Sequence, residues 1–213
     1  MKLMDMNIKD FLETLSSDSP TPGGGSISAF SGANAASLVM MVSALTTKRK
    51  KFKTIDESDQ KHYLEVIDEF IKAKKEFIDF VDLDSEAFSE VMKAFKLPKD
   101  TEAEMEIRDN EIQKATILSI KVPMQVAILS LEMLRKFEFI IIHSNRNAIS
   151  DLGVAVLLFH TAFNGALLNV KINLPGLSDK NIVKEYKNVI MEMTNEANYL
   201  KEKHLEEIDF LLE

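Results

Sequence analysis

PTPGGGS, at residues 20–26, leads directly into ISAFSGANAASLVMMVSALT, at residues 27–46, a segment without a charged residue. The two prolines disfavour an early helix, the glycines leave the backbone free to turn, and Ser26 is predicted to be the N-cap of an apolar helix. Within that helix small residues recur at every fourth position, at Ser28, Gly32 and Ala36. One side of the helix is therefore nearly free of side chains, and another segment is expected to approach it closely.

The composition predicts one folded domain over residues 1–213, since 46% of the residues are hydrophobic and 28% are charged. Cysteine is absent, which excludes disulfides and thiolate-bound metals. Because the N-terminal residues also lack the pattern of a signal peptide, we expect a cytoplasmic protein. The net charge of −8 argues against a nucleic-acid partner.

A second uncharged segment, residues 152–170, raises the question of a membrane. Both segments contain polar residues, among them Asn34, His160 and Asn164, and neither has basic flanks arranged by side. Helices that are apolar all round are also typical of the centre of a soluble bundle. We therefore expect two buried central helices and no membrane partner.

The spacing of apolar residues by three and four predicts an all-α fold, a multihelical bundle in which kinked long helices surround the two central ones. Asp56 is the predicted N-cap of a long helix, and Pro123 is expected to kink or divide another helix near Lys121. The predicted helices cover residues 8–16, 27–46, about 57–95, 102–143, 150–174 and 179 to the C-terminus.

The long third helix carries one carboxylate, Asp84, on a stripe that is otherwise large and apolar: Phe77, Val81, Phe88, Val91 and Phe95. A buried carboxylate must be paired, protonated or placed at a cavity. Asp84 could bond a neighbouring helix end or act in catalysis. The fifth helix favours the second interpretation, because its stripe is small in the middle and polar at both ends, Asp151 and Asn169. Two such helices can enclose a polar pocket.

Other candidate residues have weaker signals. The glycine turn, at the start of a helix, could hold a carboxylate or lie against a substrate ring. The basic run at residues 48–53 is either a solvated face or a site for an anionic tail. Asn145 and Asn147 could simply form a turn, and Asp151 is favoured in a first helical turn in any case. The four histidines have no metal-ligand spacing, so no metal is predicted.

Four segments, in order, resemble the cyclodeaminase/cyclohydrolase family: PTPGGGS at 20–26, DLDSEAF at 82–88 with LPK at 97–99, VP at 122–123, and NAISDLGVA at 147–155 with GA at 165–166 and LNVKINL at 168–174. The family includes methenyltetrahydrofolate cyclohydrolases and the C-terminal domain of formiminotransferase-cyclodeaminase. The resemblance implies an all-helical homodimer that acts on the one-carbon unit between N5 and N10 of tetrahydrofolate. It implies no metal or redox cofactor.

The resemblance also implies roles for residues. The family's catalytic Asp is the second Asp of Asp-x-Asp-x-x-Ala-Phe, which is Asp84 here. We expect the Gly23-Gly24-Gly25-Ser26 turn to lie against the pterin ring. The expected orienting residues are Asn145, Asn147, Ser150 and Asp151, and the residues expected to bind a glutamate or polyglutamate tail are Lys48, Arg49 and Lys51.

Three functions stay open at this point. NAISD and LNVKINLP look more like the free-standing bacterial enzymes, which favours a methenyltetrahydrofolate cyclohydrolase. We expect no transferase domain in this chain, and hence not the bifunctional enzyme. The alternative is a formiminotetrahydrofolate cyclodeaminase, which differs little in sequence. A non-catalytic helical dimer that binds folate or a protein partner is the third.

Overall fold

A computed structural model describes residues 2–213 and contains no β-strand within that range. The all-α prediction is therefore confirmed. The helices are α1 (Ile8–Leu15), α2 (Gly24–Thr47), α3 (Glu57–Phe95), α4 (Glu102–Leu134), α5 (Phe137–His143), α6 (Ile149–Asn173) and α7 (Lys180–Leu212). Single 3-10 turns lie at Leu3–Asp5, Lys50–Thr54, Arg146–Ala148 and Leu174–Gly176.

Helices α2 and α6 form the centre of the bundle and run antiparallel, since Gly24 lies against Asn169 and Ser28 lies against Gly165. Helix α3 packs on α2, α4 packs on both α3 and α6, and α7 packs on α6. The predicted close approach occurs at Gly165, where a Cβ atom would collide with the Ser28 hydroxyl. The small residues of the two central helices thus set the distance between them.

An aromatic cluster fills the core beside the central helices. Phe70, Phe77 and Phe137 are fully buried around Phe159, with ring centroids 5.9 to 6.0 Å from its ring. The apolar stripe of α3 leaves this core towards its C-terminal end, where Phe88 is 36% exposed. Asp84 therefore lies at the point where the stripe passes from the core to the surface.

Of the kink or division expected near Lys121, the division is wrong. Helix α4 continues through Pro123 to Leu134, and the chain breaks instead at Arg135 and Lys136. A proline at 123 has no N–H for the carbonyl of Ser119, its partner four residues earlier. The side-chain amide of Asn173 donates to that carbonyl at 3.1 Å, so the unpaired group is satisfied without a break.

Two predicted caps also differ from the structure. Helix α2 begins one turn earlier than predicted, with Gly23 as its N-cap, so Ser26 lies inside the first turn and caps nothing. Asp56 is the N-cap of α3 as predicted, but its side chain makes no capping hydrogen bond. The hydroxyl of Ser26 is thus available for a partner outside its own helix.

The central helices are not covered on all sides in the single chain. By length and composition alone, Gly24–Thr47, Glu102–His143 and Arg146–Gly176 could each cross a membrane, and about half of each apolar window is buried in the bundle (50%, 56% and 50%). The outward sides of α2 and α6 are called here the α2/α6 face, and their exposed large apolar residues are Met41, Leu45, Val154, Leu157, Leu168 and Ile172.

Candidate active site

Asp84 opens onto a cavity of about 340 Å³ at one end of the central helix pair. The glycine turn and the start of α2 form one wall, α3 contributes the carboxylate, and the end of α6 and residue 119 of α4 close the rest. The lining residues are Pro20, Thr21, Gly23, Gly24, Gly25, Asp84, Phe88, Val91, Ser119, Asn169, Ile172 and Asn173. The structure thus brings Asp84 and the three glycines together.

The Asp84 carboxylate is held by the first turn of α2. The hydroxyl of Ser26 donates to Oδ2 of Asp84 at 3.0 Å and lies 3.2 Å from the hydroxyl of Ser85. A Cβ atom on Gly25 would collide with the Asp84 carboxyl group. Glycine at 25 is therefore needed for steric reasons, because any side chain there would displace the carboxylate.

Burial raises the pKa of the Asp84 carboxyl above its ordinary value of 3.8, and hydrogen bonds from the side chain and backbone of Ser26 act in the opposite direction. Removing a carboxylate from water disfavours its charged form, whereas donated hydrogen bonds favour it. The net result is that the pKa of this carboxyl group is closer to neutral pH than the pKa of an exposed aspartate. Such a group is suited to accept and return a proton.

Two amides at the end of α6, Asn169 and Asn173, line the cavity. The sequence indicated Asn169 only as a polar end of the α6 stripe and did not indicate Asn173. The side-chain amide of Asn173 donates to the carbonyls of Ser119 and Asn169, at 3.1 and 3.0 Å. That of Asn169 donates to the carbonyl of Gly165 at 2.9 Å. Because both hydrogens of the Asn173 amide are occupied, its side-chain oxygen remains as the acceptor.

A sequence signal for these amides existed. Asn169 and Asn173 are four residues apart, hence on one face of an otherwise apolar helix. Pro123 indicates that the Ser119 carbonyl needs a donor. Neither observation alone identifies the partner, because the contact joins residues 54 positions apart in the chain.

The remaining predicted residues lie at the other end of the central helices. Arg49, Lys51 and Asn145 line a second cavity of about 230 Å³, together with Thr46, Phe52, Ile55, Ile142, His143, Ser144 and Arg146. The backbone N–H of Asn145 donates to Oγ1 of Thr46 at 2.9 Å, in the last turn of α2. Asp84 contacts the first turn, and the intervening helix is about 30 Å long.

Asn145, Ser150 and Asp151, which were expected to orient the substrate, therefore do not lie beside Asp84 within a single chain. Ser150 and Asp151 are in the first turn of α6, at the end opposite to Asn169 and Asn173. The backbone N–H of Asn147 donates to the side-chain oxygen of Asn145 at 3.0 Å, which is the turn-forming role. Lys48 ends α2 and lines neither cavity.

No group of three or more His, Asp or Glu residues suited to a metal ion lies together within residues 2–213. His160 instead contacts Asn198, with 2.8 Å between Nε2 and the side-chain oxygen. His204 is buried, and its Nε2 lies 3.0 Å from the carbonyl of Leu134, at the end of α4. Both histidines thus have structural partners.

Comparison with known proteins identifies relatives of this architecture. Residues 7–192 match the formiminotransferase-cyclodeaminase family. A methenyltetrahydrofolate cyclohydrolase from Methylorubrum extorquens is 36% identical over 94% of this chain and 95% of its own length. The formimidoyltransferase-cyclodeaminase of Gallus gallus is 30% identical over 88% of this chain, which spans only 34% of that protein.

A solved structure has the same fold. The crystal structure of formiminotetrahydrofolate cyclodeaminase from Thermotoga maritima superposes with a TM-score of 0.79 at 27% identity. The superposition covers 99% of this chain and 98% of the other. The order and packing of the helices are therefore shared along nearly the whole length of both chains.

Proposed function

Because the chain belongs to the formiminotransferase-cyclodeaminase family, we propose that it is a methenyltetrahydrofolate cyclohydrolase, which interconverts 5,10-methenyl- and 10-formyltetrahydrofolate. The chain is an enzyme of folate one-carbon chemistry that acts on C–N bonds. One observation carries the choice of reaction. The cyclohydrolase relative is 36% identical and matches this chain from end to end, whereas the bifunctional relative from Gallus gallus is 30% identical.

The second candidate is a formiminotetrahydrofolate cyclodeaminase, in which N10 attacks the formimino carbon and ammonia leaves. The Thermotoga maritima structure favours it, because that protein carries the cyclodeaminase name and has nearly the same extent as this chain. Both reactions require a proton to move to or from nitrogen at a tetrahedral carbon. Asp84 is placed to transfer this proton in either reaction.

In the cyclohydrolase direction, water adds to the cationic methenyl carbon and gives up a proton to the Asp84 carboxylate. The carbon is then tetrahedral and bears a hydroxyl group. The C–N5 bond breaks as Asp84 returns its proton to N5, and the hydroxyl proton is released as the formyl carbonyl forms. One water is consumed and one proton is released overall. A well-placed general acid–base of this kind contributes about 10²- to 10⁴-fold to the rate.

The cavity also supports an orientation for the substrate. The bare backbone of Gly23 to Gly25 allows the pterin ring to approach within van der Waals distance, and Phe88 also lines the cavity. The side-chain oxygen of Asn173 accepts from the N–H groups of the pterin edge. As a carboxylate, Asp84 stabilises the methenyl cation. Since no electrons are transferred, we propose that the folate derivative and water are the only small molecules required.

The surroundings of the enzyme are part of the proposal. We propose a homodimer that covers the α2/α6 face, because exposed apolar patches of this kind are typical of interfaces. We propose the cytoplasm as the compartment, which suits a chain without cysteine.

The test is to incubate the purified protein separately with 5,10-methenyl- and 5-formiminotetrahydrofolate. The proposal predicts accelerated loss of the methenyl chromophore over the rate in buffer alone. The Asp84→Asn variant, purified in parallel, controls for contaminating enzymes. Turnover of the formimino compound alone, with release of ammonia, would replace the first candidate by the second.

A further inference from the structure

The hydrogen bonds around Asp84 continue beyond the carboxyl group. The hydroxyl oxygen of Ser26 lies 3.0 Å from Oδ2 of Asp84 and 3.2 Å from the hydroxyl oxygen of Ser85. Ser26 is fully buried, whereas Ser85 is partly exposed. The three side chains therefore form a hydrogen-bonded chain that leads from the candidate active site towards the surface.

The far end of this chain lies in a different cavity. Ser85 lines a cavity of about 690 Å³, the α3/α4 cavity, which is formed by α3, α4, Thr21 and the N-terminal residues Lys2 and Leu3. This cavity and the Asp84 cavity share one lining residue, Thr21. Asp84 lines only the first of the two and Ser85 only the second. The hydroxyl of Ser26 thus connects two cavities by hydrogen bonds.

The α3/α4 cavity is suited to receive a proton. Its charged lining residues are the carboxylates Asp82, Glu86 and Glu90 and the lysines Lys2 and Lys93. Lys93 is paired with Glu90, with 2.6 Å between the amino group and Oε1. Glu86 and Glu90 are exposed, so the cavity is in contact with bulk water. Carboxylates that outnumber the basic groups make a local potential that favours protons.

The proposed reaction requires a proton to leave the site in each turnover. Asp84 returns its first proton to N5, and the hydroxyl group on the tetrahedral carbon then loses a second one. Within residues 2–213, Asp84 is the only titratable residue that lines its cavity, so its carboxylate is the base that accepts this proton. Asp84 must lose the proton again before it can act on the next water molecule. During this step the folate occupies the Asp84 cavity and limits the access of water from that side.

We propose that Ser26 and Ser85 form a proton relay between Asp84 and the α3/α4 cavity. The proton on Oδ2 of Asp84 moves to the oxygen of Ser26, the former Ser26 proton moves to the oxygen of Ser85, and the former Ser85 proton passes to water in the α3/α4 cavity. Asp84 is then a carboxylate again, and both serines are neutral hydroxyls. This inference rests on the proposed function, because that reaction releases one proton.

The geometry permits the relay in both protonation states of Asp84. When Asp84 is ionised, Ser26 donates to Oδ2 and Ser85 can donate to Ser26, since either hydroxyl of that pair can be the donor. When Asp84 is protonated, Oδ2 becomes the donor and the two hydroxyl hydrogens point towards the α3/α4 cavity. A hydroxyl group donates one hydrogen bond while it accepts another, and its hydrogen rotates to suit its partners. No heavy atom has to move.

The first test removes the Ser85 hydroxyl. Ser85→Ala should lower kcat for the methenyl folate by about tenfold with little change in KM, because the variant blocks the exit of the proton but alters no residue that lines the Asp84 cavity. The matched control is Ser89→Ala. Ser89 lines the same α3/α4 cavity, and its hydroxyl donates to a backbone carbonyl of its own helix. Equal kcat values for the two variants would overturn the relay.

A second pair of variants separates the hydroxyl from the shape of the side chain. Ser85→Thr keeps a hydroxyl and should retain most of the wild-type kcat, since the α3/α4 cavity has room for one methyl group. Ser85→Val has the same shape without the hydroxyl and should be as slow as Ser85→Ala. If Ser85→Thr and Ser85→Val have the same kcat, the hydroxyl of Ser85 carries no proton. This comparison also decides the question if Ser85→Ala does not fold.

A solvent isotope measurement separates a relay from a serine that only holds Asp84 in place. The kcat is measured in mixtures of H₂O and D₂O. When several protons move in one step, kcat is a curved function of the deuterium fraction, and when one proton moves it is a linear one. We expect a curve for the wild type and for Ser85→Thr and a straight line for Ser85→Val. A straight line for the wild type, or the same curve for all three proteins, would overturn the relay.

Failure of the proposed function gives a different result from failure of the relay. If the proposed function is wrong, the wild-type protein does not convert the methenyl folate, and this is known before any variant is compared. If only the relay is wrong, the wild-type protein is active and the variants at Ser85 have the same kcat as the Ser89→Ala control.

Discussion

Asp84 depends on two neighbours in the first turn of α2 for its position and its proton affinity. Gly25 leaves the space that the carboxyl group occupies, and Ser26 donates a hydrogen bond to it. Burial favours the protonated form and Ser26 favours the ionised form, so the balance between them sets the pH at which the group loses its proton. Each of these contributions can be removed by one substitution.

Asp84→Asn should lower kcat by about 10²- to 10⁴-fold, because the amide retains the shape of the side chain but cannot exchange a proton. Folate binding should persist, as measured by fluorescence titration or calorimetry. Near-wild-type turnover would remove Asp84 from the mechanism.

The same variant should be more resistant to denaturation at neutral pH. A carboxyl group whose pKa is raised on folding contributes stability below its unfolded pKa, and this contribution is lost as the pH rises through its folded pKa. Asparagine does not ionise, so the Asp84→Asn variant does not lose this stability as the pH rises. Its free energy of unfolding should exceed that of the wild type above about pH 4, and the difference should vanish at lower pH. Urea unfolding at several pH values measures this difference.

Ser26→Ala should move the acidic limb of the kcat/KM profile to higher pH. The hydroxyl of Ser26 lowers the pKa of Asp84, and without it a higher pH is needed to ionise the general base. Ser31→Ala is the matched control, since the hydroxyl of Ser31 bonds only within α2. A shift of the limb towards lower pH, or an equal shift in both variants, would contradict the assigned role.

At the scale of elements, the contact between α2 and α6 positions the glycine turn and the end of α6, which both line the Asp84 cavity. Helix α6 has two glycines with different neighbours. A Cβ atom at Gly165 would collide with the hydroxyl of Ser28, whereas one at Gly153 would meet only the two methyl groups of Ile208, at 3.5 and 3.9 Å. The first glycine is therefore needed for helix contact and the second is not.

Gly165→Ala should lower the free energy of unfolding by about 1–3 kcal/mol, because the added methyl group overfills a packed seam. Gly153→Ala should be neutral or stabilising, since alanine is favoured over glycine by up to about 1 kcal/mol within a helix. Chemical denaturation of both variants measures the contrast. Equal changes in the free energy of unfolding for the two variants would show that α2 and α6 can move apart at Gly165 without loss of stability.

At the scale of the whole molecule, the two central helices keep part of their apolar surface uncovered, as the outer helices also do. Val154 and Leu157 are each 48% exposed in the first half of α6, and Leu168 is 65% exposed nearer the Asp84 end. In the single chain these residues are in water. A second copy packed on the α2/α6 face would bury them.

Leu157→Asp should convert the proposed dimer to a monomer without unfolding it, because a buried, unpaired carboxylate is costly at an interface. Light scattering measures the mass, and circular dichroism checks that helix content is retained. Ile107→Asp, on the outer part of α4 and 59% exposed, is the control and should leave the mass unchanged. A Leu157→Asp protein with the mass of the unmodified dimer would place the interface elsewhere.

Much of the fold and part of the site were predictable from the sequence. Hydrophobic spacing indicated the helices, and the end of α3 at Phe95 agrees with the prediction. Asp84 was recognisable as the polar member of an apolar stripe, and the glycines before α2 as a place of close approach. These features are local, because a helix repeats every 3.6 residues and a run of glycines is visible in the chain itself.

Only the tertiary structure decided how these features are arranged in space. Asn173 supplies the hydrogen bond that Pro123 cannot, so α4 stays continuous where the local sequence predicts a kink or a division. The antiparallel packing of α2 and α6 places Asp84 and Asn145 at opposite ends of the bundle, although both were expected at one pocket. The physical reason is that these positions depend on contacts between distant residues, and no spacing within one segment specifies which helix end meets which.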